Sequence, residues 1–290
     1  MRRNRLVLSV LGGSLIGGVV VWFAADHWAS SLFQRVRPDI EAQISKPLGH
    51  PVSIGRYRGL GLQGLALGPV QVRKGPLDQS TAEIQRLTIG LDPFASLLRF
   101  KPVLTVRVRG AQLDLRRNDQ GRYWVPGPFP EQGDPPRLDL QVRFSDPARI
   151  KIDSAGLSLT AAGWTGIRLD EHRADGVLKL VLPDRGRITV KARGRWVRPE
   201  FELTTQLERI QLARYQGLLP LKLPVQMQGQ LGGNLRLGWR GGQANCSGGL
   251  SLQRAQFSGQ AMEHRLESPQ LRVSCRGDTL KVPNSRWTYG

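Results

Sequence analysis

The sequence predicts a mostly β protein: an N-terminal transmembrane helix, then an antiparallel sheet with one apolar and one charged face, interrupted by one or two short helices. Two observations carry this. A run of twenty uncharged residues stands near the N-terminus. From Val52 onward, apolar residues recur at every second position. A third observation, 42 basic against 23 acidic side chains and a net charge of +19, bears on partners more than on fold.

The uncharged run is "LVLSVLGGSLIGGVVVWFAA", from Leu6 to Ala25. As a helix it is about 30 Å long, the thickness of a bilayer core. Its eleven Leu, Val, Ile and Phe residues favour insertion by roughly 0.3–0.6 kcal/mol each. Leu6, Leu11, Ile16, Val20, Trp22 and Phe23 are the expected anchor residues, with Trp22 and Trp28 at the far interface. Arg2, Arg3 and Arg5 set the topology, holding the N-terminus in the cytoplasm so that the rest is exported. The expected location is therefore the inner membrane, single-pass, with the bulk of the chain periplasmic. A cleaved signal peptide is the competing reading, but the run is long for one and "FAADHWAS" is a poor cleavage site. Gly13 and Gly17 form a G-x-x-x-G pair that would let a second helix approach closely.

Residues 26–50 read as a connector, a short amphipathic helix. Leu32, Phe33, Val36, Ile40 and Ile44 recur at helical spacing, and Pro47 and Gly49 end it. Residues 51–290 read as one exported β domain. "VLTVRVRGAQLDLRR" sets Leu104, Val106 and Val108 against Thr105, Arg107 and Arg109. "RLDLQVRF" repeats the pattern with Leu138, Leu140, Val142 and Phe144. "VLKLVLP", "RITVKARGRW", "NLRLGWRGG", "GLSLQRAQFSG" and "LRVSCRGDTLKV" continue it, separated by turn signals such as Asn118-Asp119-Gln120-Gly121 and Asp184-Arg185-Gly186. In "LDPFASLLRFKP", Asp92 is an N-cap and Pro93 the first helical residue. "ERIQLARYQGLLPLKLP" reads as a helical turn or two before Pro220, and "VPGPFPEQGDPPR" as a proline-rich loop.

"GLGLQG", from Gly59 to Gly64, spells the G-x-G-x-x-G of a dinucleotide-binding loop. That chemistry needs a helix N-terminus on the pyrophosphate. No helix runs from Gly61 through Gly68-Pro69, and the inward apolar parity switches at Gly64 and again at Gly68. These glycines therefore mark a bulge or tight turn between short strands, and no nucleotide cofactor is expected.

Catalytic motifs are not found. The histidines His27, His50, His172 and His264 are isolated, and no Walker loop, H-E-x-x-H, G-x-S-x-G or Cys/His ligand set occurs. No catalytic, cofactor-binding or metal-binding residue is expected, and the chain reads as a non-enzyme. "LDEHRAD" is a dense polar cluster that reads as a surface loop rather than a cation site. Cys246 and Cys275 form a disulfide if the domain lies outside the cytoplasm, and are otherwise small strand residues. Nucleic acid is not an expected partner, because Tyr123, Trp124 and Trp196 are too scattered for a stacking platform.

Several segments together resemble a known family. They are "LG-x-PV-x-IG" (Leu48 to Gly55), "GL-x-LGPV", "LDP…LL", the "D-x-G-x-W/Y" hairpin after "LDLRR", and "ERIQLARYQGLLPLKLPVQMQGQLGGNLRLGW". In this order, behind a membrane anchor, they resemble TamB-like proteins of the AsmA-like superfamily, of cyanobacterial or plastid type. The resemblance implies an elongated, curled antiparallel sheet, a β-groove whose apolar interior carries phospholipid acyl chains. It also implies a role in outer-membrane protein assembly and secretion, with an outer-membrane assembly-factor barrel as partner through a further C-terminal region. Such chains usually run to many hundreds of residues, so this one reads as an N-terminal portion or a short relative. The expected groove lining is Leu104, Val106, Val108, Leu138, Leu140, Val142 and Phe144. Two other readings stay open: a structural envelope or secretion scaffold with a closed, dry β core, and an exported basic domain binding an anionic polymer.

Overall fold

The computed structural model describes residues 3–61, 63–125, 127, 137–152, 157–197, 199–216, 225–259, 262, 264–283 and 285–289, with the side chains of 3–25 and 157–158 outside the description. The chain starts with α1 (Arg3–Leu48), followed by β1 (Val52–Gly61), β2 (Gly64–Val72), β3 (Thr81–Leu91), α2 (Pro93–Arg99) and β4 (Val103–Leu115). Next come β5 (Asp139–Phe144), β6 (Ala148–Ile152), β7 (Leu157–Arg168), β8 (Arg173–Val181), β9 (Arg187–Arg195), β10 (Glu200–Gln211) and α3 (Leu212–Tyr215). The chain continues with β11 (Val225–Arg240), β12 (Gln243–Gly259), β13 (Leu266–Gly277), β14 (Thr279–Lys281) and β15 (Thr288–Tyr289). All described strands form one sheet, ordered almost as in the sequence, and β1 does not pair with β13, β14 or β15. The sheet is thus a single open layer rather than a barrel.

The alternation read from the sequence gives these strands their two faces. Three features differ from expectation. First, α1 is one uninterrupted helix, so the expected anchor and the connector helix are not separate elements. It ends where Pro47 and Gly49 predict, with Gly49 at φ 71°. The expected anchor residues Leu6, Leu11, Ile16, Val20, Trp22 and Phe23, and the topology-setting Arg2, Arg3 and Arg5, lie outside the described side chains. Among the described residues, no helix is long and apolar enough to cross a membrane.

Second, the sheet is not wholly antiparallel. β4 pairs in parallel with both β5 and β6, which together act as one broken strand between β4 and β7. The break is held by Asp146, whose carboxylate accepts the Gly110 N–H at 3.0 Å. A parallel neighbour requires a long return connection, and residues 116–138 supply it. The "D-x-G-x-W/Y" segment is a turn closed by Gly121 N to Asn118 O, with no hairpin strand after it among the described residues. Third, "ERIQ" extends β10, and among the described residues of this segment Leu212–Tyr215 are helical, 217–224 lying outside the description.

The "GLGLQG" stretch does lie in the β1–β2 hairpin. The register slips between Tyr57 and Gly59, and Gly59 and Gly64 have φ of 121° and 113°. A Cβ on Gly64 would come within 2.1 Å of the Ile89 carbonyl. The parity switch at Gly68 crosses three strands together, because Leu67 and Val70 face Leu87 and Ile84, which in turn face Val108 and Ala111.

α1 lies on the apolar face of the first strands. Phe33, 6% exposed, packs with Ile40 and Leu48 against Val52, Ile54, Leu67 and Val70. Leu32, Val36 and Ile44, expected on the same stripe, are largely exposed. α1 runs antiparallel to β1. Ser45 Oγ accepts the Val52 N–H at 2.9 Å, Glu41 accepts that of Ile54 at 2.6 Å, and Asp26 accepts that of Leu60 at 2.7 Å. Helix direction therefore carries the uncharged run away from the sheet at the edge formed by the Gly61–Gly64 turn.

Candidate functional site

The apolar face of the sheet is the candidate site, and strand register organises it into rows. Residues paired across neighbouring strands point to the same side. The first row runs Leu91, Leu104, Leu140, Ile167, Ala174, Gly194, Phe201, Trp239 and Ala244. The second runs Leu65, Ile89, Val106, Val142, Thr165, Gly176, Ala192, Leu203, Leu237 and Cys246. A third carries Leu67, Leu87, Val108 and Phe144, and resumes at Gly163 with Leu178, Val190, Thr205, Leu235, Gly248 and Cys275. With strands about 4.8 Å apart, each row is an apolar track roughly 40 Å long.

The expected lining residues fall into this lattice in pairs. Leu104 sits beside Leu140, Val106 beside Val142, and Val108 beside Phe144. Leu138 precedes β5 and belongs to no row. Val108 is buried, while the other six are partly exposed. Thr105, expected in solvent, is buried on the opposite face beside Val103, next to α2.

Cover over the apolar face is partial. α1 roofs β1–β3, and α3 closes one end further along, where Tyr215 packs with Leu159, Leu182 and Ile210. Asp184 holds α3 in place: its carboxylate accepts the Tyr215 hydroxyl at 2.8 Å, with the Gly186 and Gln211 N–H groups at 3.1 and 3.2 Å. Burial pushes the Tyr215 hydroxyl up to about 12, and the adjacent Asp184 carboxylate pushes the same way. Between the two helices, among the described residues, no second layer lies over the rows. Phe201 and Trp239 stack at their rim with ring centroids 6.1 Å apart.

The other face is basic. Arg86 pairs across from Arg109, and Arg107 from Arg143. Towards β12, Arg173, Arg193, Arg195, Arg236 and Arg240 line a hollow of about 880 Å³ with Glu200 and Glu202. Arg193 and then Arg236 hold the Glu202 carboxyl below its ordinary value. Cys246 and Cys275 are joined in a disulfide across β12 and β13 on the apolar face.

Two groups have partners that the sequence did not signal. His50 is buried where α1 meets the sheet, with Nδ1 3.0 Å from the Arg73 carbonyl and Nε2 3.1 Å from the Asp78 carboxylate. Trp124 stacks on it at 4.1 Å and donates Nε1–H to the Leu48 carbonyl. The "LDEHRAD" cluster is the second. Asp170 and Glu171 meet the ammonium of Lys101, at 2.9 and 3.6 Å, rather than a metal. Among the described residues no group of side chains is arranged to hold a metal ion.

An open sheet with continuous apolar rows on one face and arginines on the other has the form of a trough for apolar chains. No curated protein matches the sequence. The family model described as YhdP protein matches residues 1–288. On that match across nearly its whole length, the chain belongs to the YhdP protein family, within the AsmA-like superfamily.

Proposed function

We propose that the protein is a membrane-anchored, non-enzymatic β-groove of the cell envelope that conducts phospholipid acyl chains along its apolar rows. The observation that carries this reading is the continuity of the second row from β2 to β12, with the first beside it from β3, without a second layer over their middle among the described residues. Family membership supports a lipid-transport role in the envelope. An acyl chain laid along a row gains up to about 0.8 kcal/mol per CH₂ buried, and roughly half that where only one side is covered. Such energies hold a chain without trapping it, since neighbouring positions in a row are nearly equivalent.

Residues 6–25 act as a single-pass anchor in the inner membrane, with Arg2, Arg3 and Arg5 cytoplasmic and the sheet periplasmic. The uncharged run supports this, and the Cys246–Cys275 disulfide favours an oxidising compartment. The narrower kinship with TamB-like proteins, the cyanobacterial or plastid type, and the role in outer-membrane protein assembly through a partner barrel rest on the sequence motifs alone. They stay part of this proposal.

Photo-crosslinkers at Val106, Leu140 and Arg107 test the reading in cells. Lipid adducts are expected at the first two positions and not at Arg107, on the opposite face of β4. Val106→Glu should abolish the adduct of a crosslinker at Val142, its neighbour in the same row, while the protein still accumulates folded. If positions 106 and 140 capture no lipid, the groove reading is wrong.

A further inference from the structure

The loop between β3 and β4 displays the densest group of exposed apolar side chains in the described structure. Phe94, Leu97 and Leu98 of α2 are 73, 70 and 65% exposed, Leu91 before it 58%, and Phe100 after it 93%. Neither the core nor the apolar rows of the trough account for α2 and Phe100. The helix is nonetheless held firmly. Asp92 caps it by accepting the Ala95 N–H at 2.9 Å, and Ser96 Oγ accepts the Val103 N–H at 2.9 Å. Arg99 and Lys101 both bind the buried Asp139 carboxylate at the start of β5. That hydrogen bond to Asp139, opposed by burial and reinforced by Asp170, raises the Lys101 ammonium above its ordinary value.

Phe100 ends α2 with φ 52°, a left-handed position where glycine is the unstrained choice. A bulky aromatic kept there, almost wholly in solvent, contributes nothing to packing. Among the described residues, nothing packs on it.

The edge on which α2 sits points to a partner for it. Leu91 pairs with Leu104, and Leu65 with Ile89, next to the Gly61–Gly64 turn. This is the edge at which Asp26 of α1 meets Leu60 and from which the uncharged run departs. Further along the same edge, the β9–β10 turn exposes Trp196 and Val197, and Arg173, Arg195 and Arg240 stand at strand ends. Apolar and aromatic side chains flanked by arginines suit the headgroup layer of an anionic bilayer.

We infer that α2, through Phe94, Leu97, Leu98 and Phe100, docks into the headgroup and upper acyl layer of the membrane that holds the anchor. The first apolar row, which begins at Leu91 beside α2, then opens directly at the lipid surface. The inference rests on the anchor reading above for which membrane is meant.

The test uses the full chain reconstituted in vesicles of phosphatidylethanolamine with a minority of phosphatidylglycerol. A nitrobenzoxadiazole label is placed on Leu97→Cys, and in a second protein on Gln120→Cys at the opposite edge of the sheet. The native cysteines are consumed in their disulfide. The Leu97 label is expected to shift to shorter emission wavelength and to be quenched by spin-labelled lipid, while the Gln120 label does neither. Adding Phe94→Ser and Leu98→Ser, both surface changes, should release the quenching while the circular dichroism spectrum is unchanged. Water-like emission at Leu97 would overturn the docking. A blue shift without lipid quenching would overturn it equally, since it reports burial against protein, such as a second copy. Resistance of the same vesicles to alkaline extraction reports the anchor separately, and lipid crosslinking at Val106 reports the groove.

Discussion

At the scale of single residues, the groups that matter most are polar ones buried between α1 and the first strands. His50 and Asp78 are 1 and 4% exposed and face each other at 3.1 Å. Because His50 Nδ1 donates to the Arg73 carbonyl, a proton lies between Nε2 and the Asp78 carboxylate. Breaking such a pair leaves its partner buried and uncompensated. Asp78→Ala should therefore cost about 3 kcal/mol in denaturant unfolding. Burial alone would raise the Asp78 carboxyl, but the Val125 and Ser80 N–H groups and His50 outweigh it and hold it below its ordinary value. A carboxyl depressed on folding stabilises above its unfolded pKa of about 3.9, and that contribution is lost as pH falls through the folded value. Wild-type stability should accordingly decline below about pH 4, and less steeply in Asp78→Asn, when melting temperature is followed with pH. Tyr215 has the opposite sign. Its hydroxyl, raised to about 12, contributes stability below pH 10 that is lost as pH rises through about 12. Tyr215→Phe should cost about 1 kcal/mol at neutral pH and remove that share of the alkaline decline.

Among elements, α1 is the roof over the first strands. Phe33 is its most deeply inserted side chain, and Phe33→Ala should destabilise by about 3–4 kcal/mol in calorimetry or denaturant titration. Leu32→Ala, one residue away but 44% exposed, should cost far less. The sequence pattern could not separate these two, because residues spaced by four drift around the helix and only some of that ridge meets the sheet. The β1–β2 hairpin gives a sharper test. In "GLGLQG", Gly64→Ala would force a Cβ to 2.1 Å from the Ile89 carbonyl at φ 113°, and should cost about 2 kcal/mol or more. Gly61→Ala makes only ordinary contacts, with the Gly64 carbonyl at 3.8 Å and the Gln63 nitrogen at 4.0 Å, and should be nearly neutral. A phosphate-binding loop would need all three glycines. A hairpin of this shape needs Gly64 for space and Gly59 for its φ of 121°, and not Gly61.

For the whole molecule, the lattice of rows was legible from sequence because period-two patterning and strand register are the same information seen twice. Leu104, Val106 and Val108, and separately Leu138, Leu140, Val142 and Phe144, read as inward sets of two strands, and β4–β5 pairing sets all but Leu138 side by side. The parallel sense of that pairing was not legible, since alternation is the same in either direction and the crossover at 116–138 carries no periodicity. His50 and Asp78, 28 residues apart, gave no local signal. α2 was legible as a helix from Asp92 and Pro93, but the exposure of its apolar side chains was not. The disulfide was left open by the sequence because it depends on compartment, and register explains how it forms: Cys246 faces Gly277 and Gly248 faces Cys275, a diagonal neighbour pair. It closes a separation of 29 residues, so Cys246→Ser with Cys275→Ser should lower stability by roughly 3–4 kcal/mol. Thermal melts with and without reductant check this, and the variant should no longer respond to reductant.

The lattice also constrains how such a protein can change length. Each strand's inward set is fixed by odd or even position relative to its neighbours, so one inserted residue exchanges its leucines for its arginines, whereas two restore the order. A single alanine inserted after Val190 in β9 should abolish a cooperative melt, and a Thr-Val pair at the same place should spare it. Odd changes are absorbed only where the count is already interrupted, as beside Gly59 in β1, Arg209 in β10 and Arg254 in β12. Those irregular points are the places where this sheet is free to gain or lose a residue without turning inside out.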